Sequence, residues 1–378
     1  MINLKKKIRI LYIVTGLTAG GAELHLSKLI NNLSMNKFET VVCSLTATYD
    51  ILPLIKDNTK SIYILNARKK RDLINIILQV RKIIKITNPD IVHCVMFHSN
   101  IIGRIAAIGL KKIIISSIRT RLLYNKIGNF IDFISQALVN FYFVNSKSLH
   151  NFVSSYGIRK NKIYLIENGI DFNDFIPSKT KEEIRRELNL SNLPILCTVA
   201  NFKAQKDYPT IIKAISLVKN EFDFIYLVVG KGLRFEDQGD IIKQLVNHYN
   251  LTNVKFLGFR NDIANILSIT NIWVNSTLFE GQSNSLLEAM TMKLPIITTN
   301  IEENREIVRH NKEAILIPVR SPSILANSIK LLLNDNTLAE ALAKNAFLRV
   351  KSKYNQQDKI NKLKKIYDQI YRQKNLLV

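Results

Sequence analysis

Three consecutive pieces of the chain, Ile272-Trp273-Val274, Phe279-Glu280-Gly281-Gln282-Ser283-Asn284-Ser285-Leu286-Leu287-Glu288-Ala289-Met290 and Leu294-Pro295-Ile296-Ile297, read as strand, loop, helix and strand. A loop of this kind sits at the carboxyl end of a parallel strand, where open α/β sheets bind ligands. A helix beginning near Ser283 offers free backbone N–H groups and the positive end of its dipole, which suits a phosphate. Glu280 falls on the loop and Glu288 about one turn into the helix. A carboxylate beside a bound phosphate is repelled by it. Both glutamates are therefore better suited to accept hydrogen bonds from hydroxyl groups, as on a sugar or ribose. A plainer reading stands beside this one. Ser285 and Glu288 have the Ser-x-x-Glu spacing of a capping box, so Glu288 could serve the helix alone and Glu280 could be a solvated loop residue.

The same alternation runs outward in both directions. Ile8–Thr15, Thr40–Leu45, Ser61–Ile64, Ile91–Cys94, Ile113–Ser116, Tyr142–Asn145 and Ile163–Ile166 read as strands. Helical spacing lies between them at Glu23–Leu33, Leu73–Ile86 and Ser146–Tyr156, the last with Gly157 as a C-cap. A polar stretch through Pro177 and Lys181 follows, and the domain boundary is expected at residues 172–190. Ile195–Val199 then begins a second series, continued by Phe224–Val229, Val254–Leu257, Ile272–Asn275, Ile296–Thr299 and Ala314–Ile317. Strands alternating with helices imply βαβ units and parallel sheets. The expected fold class is α/β, with two doubly wound Rossmann-like domains facing a cleft. A long basic helix from about Lys353 to Lys374 is expected to return to the first domain.

The chain has 378 residues, enough for two cores, and a 47% apolar content that excludes disorder. Its three cysteines, Cys43, Cys94 and Cys197, are widely spaced and fit neither a metal site nor a disulfide framework, which points to a reducing cytosol. Lys5-Lys6-Lys7-Ile8-Arg9 followed by Ile10–Val14 resembles a signal peptide, but its apolar core is too short and it reads as a first buried strand. No run reaches membrane-spanning length. The net charge is +24, with 25 Lys and Arg against 10 Asp and Glu in residues 1–175 and 29 against 20 in the rest. Local clusters are Arg68-Lys69-Lys70-Arg71, Lys111-Lys112, Arg119 with Arg121, and Arg159 with Lys160 and Lys162. Such a surface attracts an anionic membrane leaflet or nucleic acid, or reflects compositional bias alone. No helix-turn-helix, zinc-finger or RNP-type pattern accompanies it, so nucleic acid is not expected.

Other segments fall at strand ends. Gly20-Gly21-Ala22-Glu23 opens the first helix, where two glycines allow close backbone approach and the helix start could hold an anion; a tight turn explains them equally. Lys203 and Lys206 follow the first strand of the second domain, on the same edge as Glu280. A lysine there can neutralise a diphosphate, and can equally be a solvated surface residue. Gly230-Lys231-Gly232 ends another strand and is also compatible with a simple turn. His93 and His98 flank the end of Ile91–Cys94, where a histidine can hydrogen-bond a substrate hydroxyl, exchange a proton, or be structural. No nucleophile elbow, Walker loop or His-Glu-x-x-His motif is present.

Taken in order, these segments resemble the family 4 glycosyltransferases, retaining enzymes of GT-B fold. The resemblance rests on Gly20-Gly21-Ala22-Glu23, His98-Ser99-Asn100 with Gly103-Arg104, Asn145-Ser146, Ile166 through Asp171, Gln205-Lys206-Asp207, Gly230-Lys231-Gly232, Phe256-Leu257-Gly258, Glu280 through Met290, and Glu306-Ile307-Val308. It implies that residues 1–175, joined by the helix at about 353–375, form the acceptor side and that residues 176–352 bind the donor. Lys206, aided by Lys203, would contact the donor diphosphate. The loop Gly281, Ser283, Asn284, Ser285 and Leu286 would offer backbone N–H groups to the same phosphates, with Gly230 nearby. Glu288 would bind ribose hydroxyls and Glu280 those of the transferred sugar. Gly20 and Gly21 would line the diphosphate and acceptor region, and His98 would touch the reacting sugar. No metal and no cofactor is expected.

Three departures stand out. Asn201 occupies a position where many relatives have arginine, Val95 replaces the second histidine of a His-x-His, and Glu302-Glu303 stands where a Gly-Gly is usual. The expected function is transfer of a sugar from a nucleoside-diphosphate sugar, UDP-linked, to a lipid-linked or polysaccharide acceptor in bacterial surface glycan assembly. The expected location is cytoplasmic, at the anionic inner face of the membrane. The competing readings are a sugar-nucleotide epimerase of the same fold and a basic nucleic-acid-binding protein.

Overall fold

The computed structural model describes residues 7–18, 20–33, 37–55, 59–67, 72–120, 126–232 and 237–375. The basic run Arg68-Lys69-Lys70-Arg71 and Arg121 lie outside them. The chain divides into two units, Met1–Asn168 with Gln357–Val378, and Gly169–Gln356.

The first unit carries strands β1 (Ile8–Val14), β2 (Phe38–Ser44), β3 (Thr59–Ile64), β4 (Ile91–Val95), β5 (Ile113–Ile118), β6 (Phe141–Val144) and β7 (Ile163–Leu165). They pair in the order β3-β2-β1-β4-β5-β6-β7, all parallel. Helices α1 (Gly21–Asn32), α2 (Leu73–Thr87), α3 (Phe97–Ala106), α4 (Lys126–Ser135) and α5 (Lys147–Ser155) belong to the same unit. The continuous apolar runs of the central strands follow from burial on both faces: Ile10, Leu11, Tyr12 and Ile13 are all fully buried.

The second unit holds β8 (Ile195–Val199), β9 (Ile225–Val229), β10 (Val254–Gly258), β11 (Ile272–Val274), β12 (Ile296–Thr299) and β13 (Ile315–Ile317). These pair in the order β10-β9-β8-β11-β12-β13, again all parallel. Its helices are α6 (Lys181–Glu187), α7 (Tyr208–Lys219), α8 (Gly239–His248), α9 (Ile263–Ser268), α10 (Asn284–Thr291), α11 (Glu302–Ile307), α12 (Pro322–Asn334) and α13 (Asn336–Lys353). Strand order reverses between β1 and β4 in one sheet and between β8 and β11 in the other. Open parallel sheets bind ligands at the carboxyl ends of strands flanking such a reversal.

The division falls earlier than the expected boundary. Ile170 and Ile184 are buried in the core of the second unit and Phe172 and Phe175 pack against it, so the chain has changed cores before the polar stretch begins. The expected long C-terminal helix is present as a single helix, beginning slightly later than expected. α13 stops at Lys353 and α14 (Gln356–Asn375) begins after Tyr354 and Asn355. At the break Ile170 N–H donates to the Tyr354 carbonyl (2.7 Å) and Gln356 N–H donates to the Ile170 carbonyl (3.0 Å). Gly169 permits this crossing, because a Cβ there would lie 2.4 Å from the Gln356 Cα.

α14 completes the first unit. Ile360, Leu363, Ile366, Tyr367 and Ile370 recur at helical spacing and are buried with residues of β1, β2 and β4. Among the described residues no helix is long and apolar enough to cross a membrane.

Candidate functional site

In the second unit, two loops meet at the β8/β11 reversal. Past β8, Ala204–Lys206 forms a single 3-10 turn that ends on Asp207 in the left-handed region (φ 45°, ψ 45°). Asp207 is anchored from the other loop, since Ser276 Oγ donates to its Oδ2 at 3.0 Å. Gln205 joins the two loops: its carbonyl accepts from Leu278 N–H (2.9 Å), and its Nε2 donates to the Phe279 carbonyl (2.5 Å) and to Glu280 Oε2 (3.3 Å). Lys206 Nζ then donates to Glu280 Oε1. The lysine side chain is 16% exposed and the glutamate 9%, so the pair is largely withdrawn from water.

Thr277 and Thr299 hold the base of the β11 loop. Thr299 Oγ1 donates to the Thr277 carbonyl at 2.6 Å, and Thr277 Oγ1 donates to the Phe279 carbonyl at 3.1 Å. Gly281 and Ser283 are buried, and α10 starts at Asn284. The helix is capped by Ser283, whose Oγ accepts from Leu286 N–H at 3.3 Å. This corrects two expectations. Ser285 sits inside the first turn and cannot form a capping box with Glu288. The Leu286 N–H is directed to the cap, so it is not offered to a phosphate. Glu288 is half-buried on the second turn of α10.

Gly230 sits at the end of β9 with φ 151°, and a Cβ there would lie 2.0 Å from the Ala200 carbonyl oxygen. Its part in the site is to let the loop carrying Lys203 and Lys206 lie against the strand. Gly230→Ala is expected to displace that loop and abolish nucleotide protection in thermal unfolding. Lys203 is half-buried on the same loop.

In the first unit, the β1/β4 reversal places Gly20 and Gly21 after one strand and His98 after the other. Gly20 is the N-cap of α1, and the Glu23 carboxylate folds back over it. The protein thus supplies its own anion at that helix start, against the expectation of a free anion site. Met96, between β4 and α3, has φ 76° and ψ 167°, a strained backbone for a non-glycine residue. It turns the chain so that His98 is exposed while Ser99 and Asn100 are buried.

His93 belongs to the core. It is 2% exposed, with Nδ1 at 2.6 Å from the Tyr367 hydroxyl and Nε2 at 2.6 Å from Ser117 Oγ. The Tyr367 hydroxyl in turn lies 2.9 Å from that of Tyr12. Burial, with a smaller push from Arg119, holds the imidazole down at about 3, so it is neutral at working pH. Of the two histidines weighed from sequence, His98 alone is placed to meet a substrate. Arg104, named in the resemblance, is also internal: it is fully buried, donating to Ser116 Oγ (3.0 Å), Asp132 Oδ1 (2.7 Å) and Ser135 Oγ (3.0 Å).

The sequence reading gave no role to Gln205, Asp207, Thr277 or Thr299. Gln205 and Asp207 flank Lys206 in the quoted motif, which was the available signal. The threonines carried none.

Two family models match the chain: one described as glycosyl transferases group 1 over residues 180–349, the other as Glycosyltransferase Family 4 over residues 19–174. The chain belongs to the family 4 glycosyltransferases. Among curated relatives, the chain is 28% identical over 212 residues to the UDP-Gal:alpha-D-GlcNAc-diphosphoundecaprenol alpha-1,3-galactosyltransferase of Escherichia coli, covering 54% of each chain. It is 29% identical over 211 residues to the N,N'-diacetylbacillosaminyl-diphospho-undecaprenol alpha-1,3-N-acetylgalactosaminyltransferase of Campylobacter jejuni, again 54% of each. The chain spans about half the length of these curated relatives. Among solved structures, HepE of Anabaena in complex with UDP-glucose superposes with a TM-score of 0.87 at 18% identity, covering 96% of this chain and 100% of HepE. Sucrose-phosphate synthase of Thermosynechococcus elongatus gives 0.83 at 19% identity, covering 97% and 100%. These likenesses show that the fold is GT-B.

Proposed function

We propose that the protein is a retaining, metal-independent glycosyltransferase that moves a sugar from a UDP-sugar to a lipid-linked or polysaccharide acceptor. Its pathway would be assembly of a bacterial capsule, O-antigen or lipopolysaccharide. The observation that carries this reading is the Lys206–Glu280 pair at the β8/β11 reversal, beside the capped start of α10. The two charged groups match the two halves of the donor. Lys206 meets the diphosphate, and Glu280 accepts from hydroxyls of the sugar being transferred. The N–H groups at the start of α10 face the phosphates, and Glu288 takes the ribose hydroxyls. The printed names of the relatives supply the acceptor class: both relatives described above act on undecaprenol-diphosphate sugars.

In donor-free protein the lysine and the glutamate satisfy each other. The donor separates them by offering phosphate oxygens to the ammonium and hydroxyl protons to the carboxylate. As the anomeric carbon–oxygen bond breaks, negative charge builds on the leaving phosphate and Lys206 stabilises it. A phosphate oxygen takes the proton of the acceptor hydroxyl, which attacks from the face the diphosphate is leaving. His98 lies against the reacting sugar. The remaining contribution is orientation of donor and acceptor. The net positive charge of the chain suits the anionic inner leaflet, where a lipid-linked acceptor resides. The relatives give no support to the epimerase or nucleic-acid readings.

Thermal unfolding with UDP, GDP and ADP, and then with a series of UDP-sugars, tests the donor half. A ligand at 100 times its Kd adds about 2.7 kcal/mol of stability. UDP and one or more UDP-sugars are expected to give such a shift. If no nucleotide shifts the transition, the reading fails.

A further inference from the structure

A cavity of about 130 Å³ opens in the first unit among α3, α4, α5, β5 and β6. Part of its wall is apolar: Phe97, Phe133, Phe152, Tyr156 and Ile158. Polar groups also line it, and three of them carry atoms left without partners among the described residues, the Thr120 hydroxyl being one. Tyr142 is 2% exposed and its hydroxyl finds no hydrogen-bond partner among the described residues. Asn100 is 3% exposed; its Nδ2 donates to the Ser117 carbonyl at 3.2 Å, but its Oδ1 is unpartnered among the described residues. Buried polar atoms are nearly always satisfied, so three orphans in one cavity mark a place where a ligand completes the bonding. Arg119 also stands on the wall. Asp132, a carboxylate on the wall, is already held by Arg104.

The surface outside continues the apolar character. Phe130, Phe133 and Ile134 on α4 are 63%, 58% and 58% exposed, and Tyr156 is 43% exposed. Phe133 and Tyr156 belong to both the cavity wall and this outer face. Immediately after Ile158 the chain presents exposed Arg159 and Lys160. An exposed aromatic and aliphatic helix face flanked by cations suits an anionic amphiphile at a membrane interface. A sugar alone would leave the apolar wall unmatched, and a neutral hydrocarbon would leave the Tyr142 and Thr120 hydroxyls and Asn100 unmatched, whereas Arg119 already donates to Asn168 Oδ1 at 2.8 Å.

We infer that this cavity binds the phosphate-proximal end of a prenyl-diphosphate lipid. The first isoprene unit packs against Phe133, Phe152 and Tyr156. The phosphate takes hydrogen bonds from Arg119 and the Tyr142 hydroxyl, and Asn100 Oδ1 accepts from a hydroxyl of the attached sugar. The size is suitable, because an apolar cavity of about 150 Å³ accommodates benzene and one branched five-carbon unit is of that order. The exposed face of α4 receives the rest of the chain. The assignment rests on the acceptor class proposed above and adds where that acceptor is held.

The experiment uses the full chain, without donor, and compares farnesyl diphosphate with farnesol by equilibrium dialysis. A photoreactive farnesyl diphosphate then maps the site by peptide sequencing. Saturable binding is expected, with label on α3, α4 or α5, weakened about tenfold by Gln136→Trp, which fills the cavity from its rim, and by Phe133→Glu on the exposed face. Tyr142→Phe is expected to weaken farnesyl diphosphate several-fold while leaving farnesol unchanged. A cooperative thermal transition in each variant, without nucleotide, reports that it is folded. The proposal is overturned if farnesyl diphosphate does not saturate, if the label lies elsewhere, or if Gln136→Trp and Phe133→Glu bind as the parent does. Neither donor nor transfer enters the measurement, so its failure leaves the donor reading standing, and a protein that ignores UDP could still bind the lipid.

Discussion

Lys206→Ala is expected to lower sugar transfer by roughly 10²- to 10³-fold, the usual cost of removing one group that stabilises developing charge. The change has a second effect that must be separated from the first. Glu280 is left in a largely buried position with Gln205 as its remaining described donor, and an unpaired charged group of this kind costs about 1–3 kcal/mol. A loss of activity could therefore be mistaken for a loss of fold. The double variant Lys206→Met/Glu280→Gln removes both charges and keeps most of the volume, so it recovers stability while transfer stays absent. Glu280→Gln alone retains a hydrogen-bonding group and leaves the ammonium for the diphosphate, so it retains UDP protection and loses transfer. Equal activity in Lys206→Ala and the parent, measured with saturating donor, would rule out the leaving-group role.

Stability is expected to fall on mild acidification, and the cause is His93. Its folded value, about 3, lies well below the ordinary 6.5. Below 6.5 the unfolded chain binds a proton that the folded chain refuses, so stability drops as pH falls. The loss is about 1.4 kcal/mol per pH unit once the unfolded histidine is fully titrating, or about 2 kcal/mol by roughly pH 5. Refusal has a structural basis. Tyr12 on β1, Ser117 on β5, Phe143 on β6, Tyr367 on α14 and the Arg119 guanidinium surround the ring, and none supplies a negative charge. The paired carboxylates Glu39, Glu187 and Asp262 are held below their ordinary values and stay ionised in this window, so they do not mask the effect. His93→Gln is expected to be less stable at neutral pH and to lose less stability than the parent from about pH 7 to pH 5, the remaining slope coming from His98, which burial also holds below its ordinary value, read by denaturant unfolding at each pH. A parent curve no steeper than the variant's would refute the assignment.

Much of the fold was readable because buried parallel strands are written as apolar runs. Ile195–Val199 was expected and found at the same bounds, and the strand that begins at Ile272 led directly to the site. Where the reading failed, the deciding interaction was distant in sequence. The change of core at Gly169 depends on the partners of Ile170 and Ile184, and composition is silent on partners. At the site, the strand–loop–helix around Glu280 was legible, but Ser283 and Ser285 are equally good caps in sequence, and backbone position alone chose Ser283. His93 and His98 flank the same strand end, and only the arrival of Tyr367 from α14 shows that His93 is occupied. Gln205 stood in the motif around Lys206 but was given no role, because an amide that links two loops has no pattern of its own.

The placement of Tyr367 bears on how the protein is made. The core around Tyr12 and His93 is closed by a helix that leaves the ribosome after all of Gly169–Gln356, which forms a unit of its own. Domains commonly fold in the order of synthesis, the N-terminal one first. Here the later unit is contiguous and can finish, while the earlier one keeps an apolar face and the polar ring of His93 uncovered. A nascent chain stalled before α14 is therefore expected to present a folded second half and a chaperone-sensitive first half, and the oldest residues in the chain are the last to be buried.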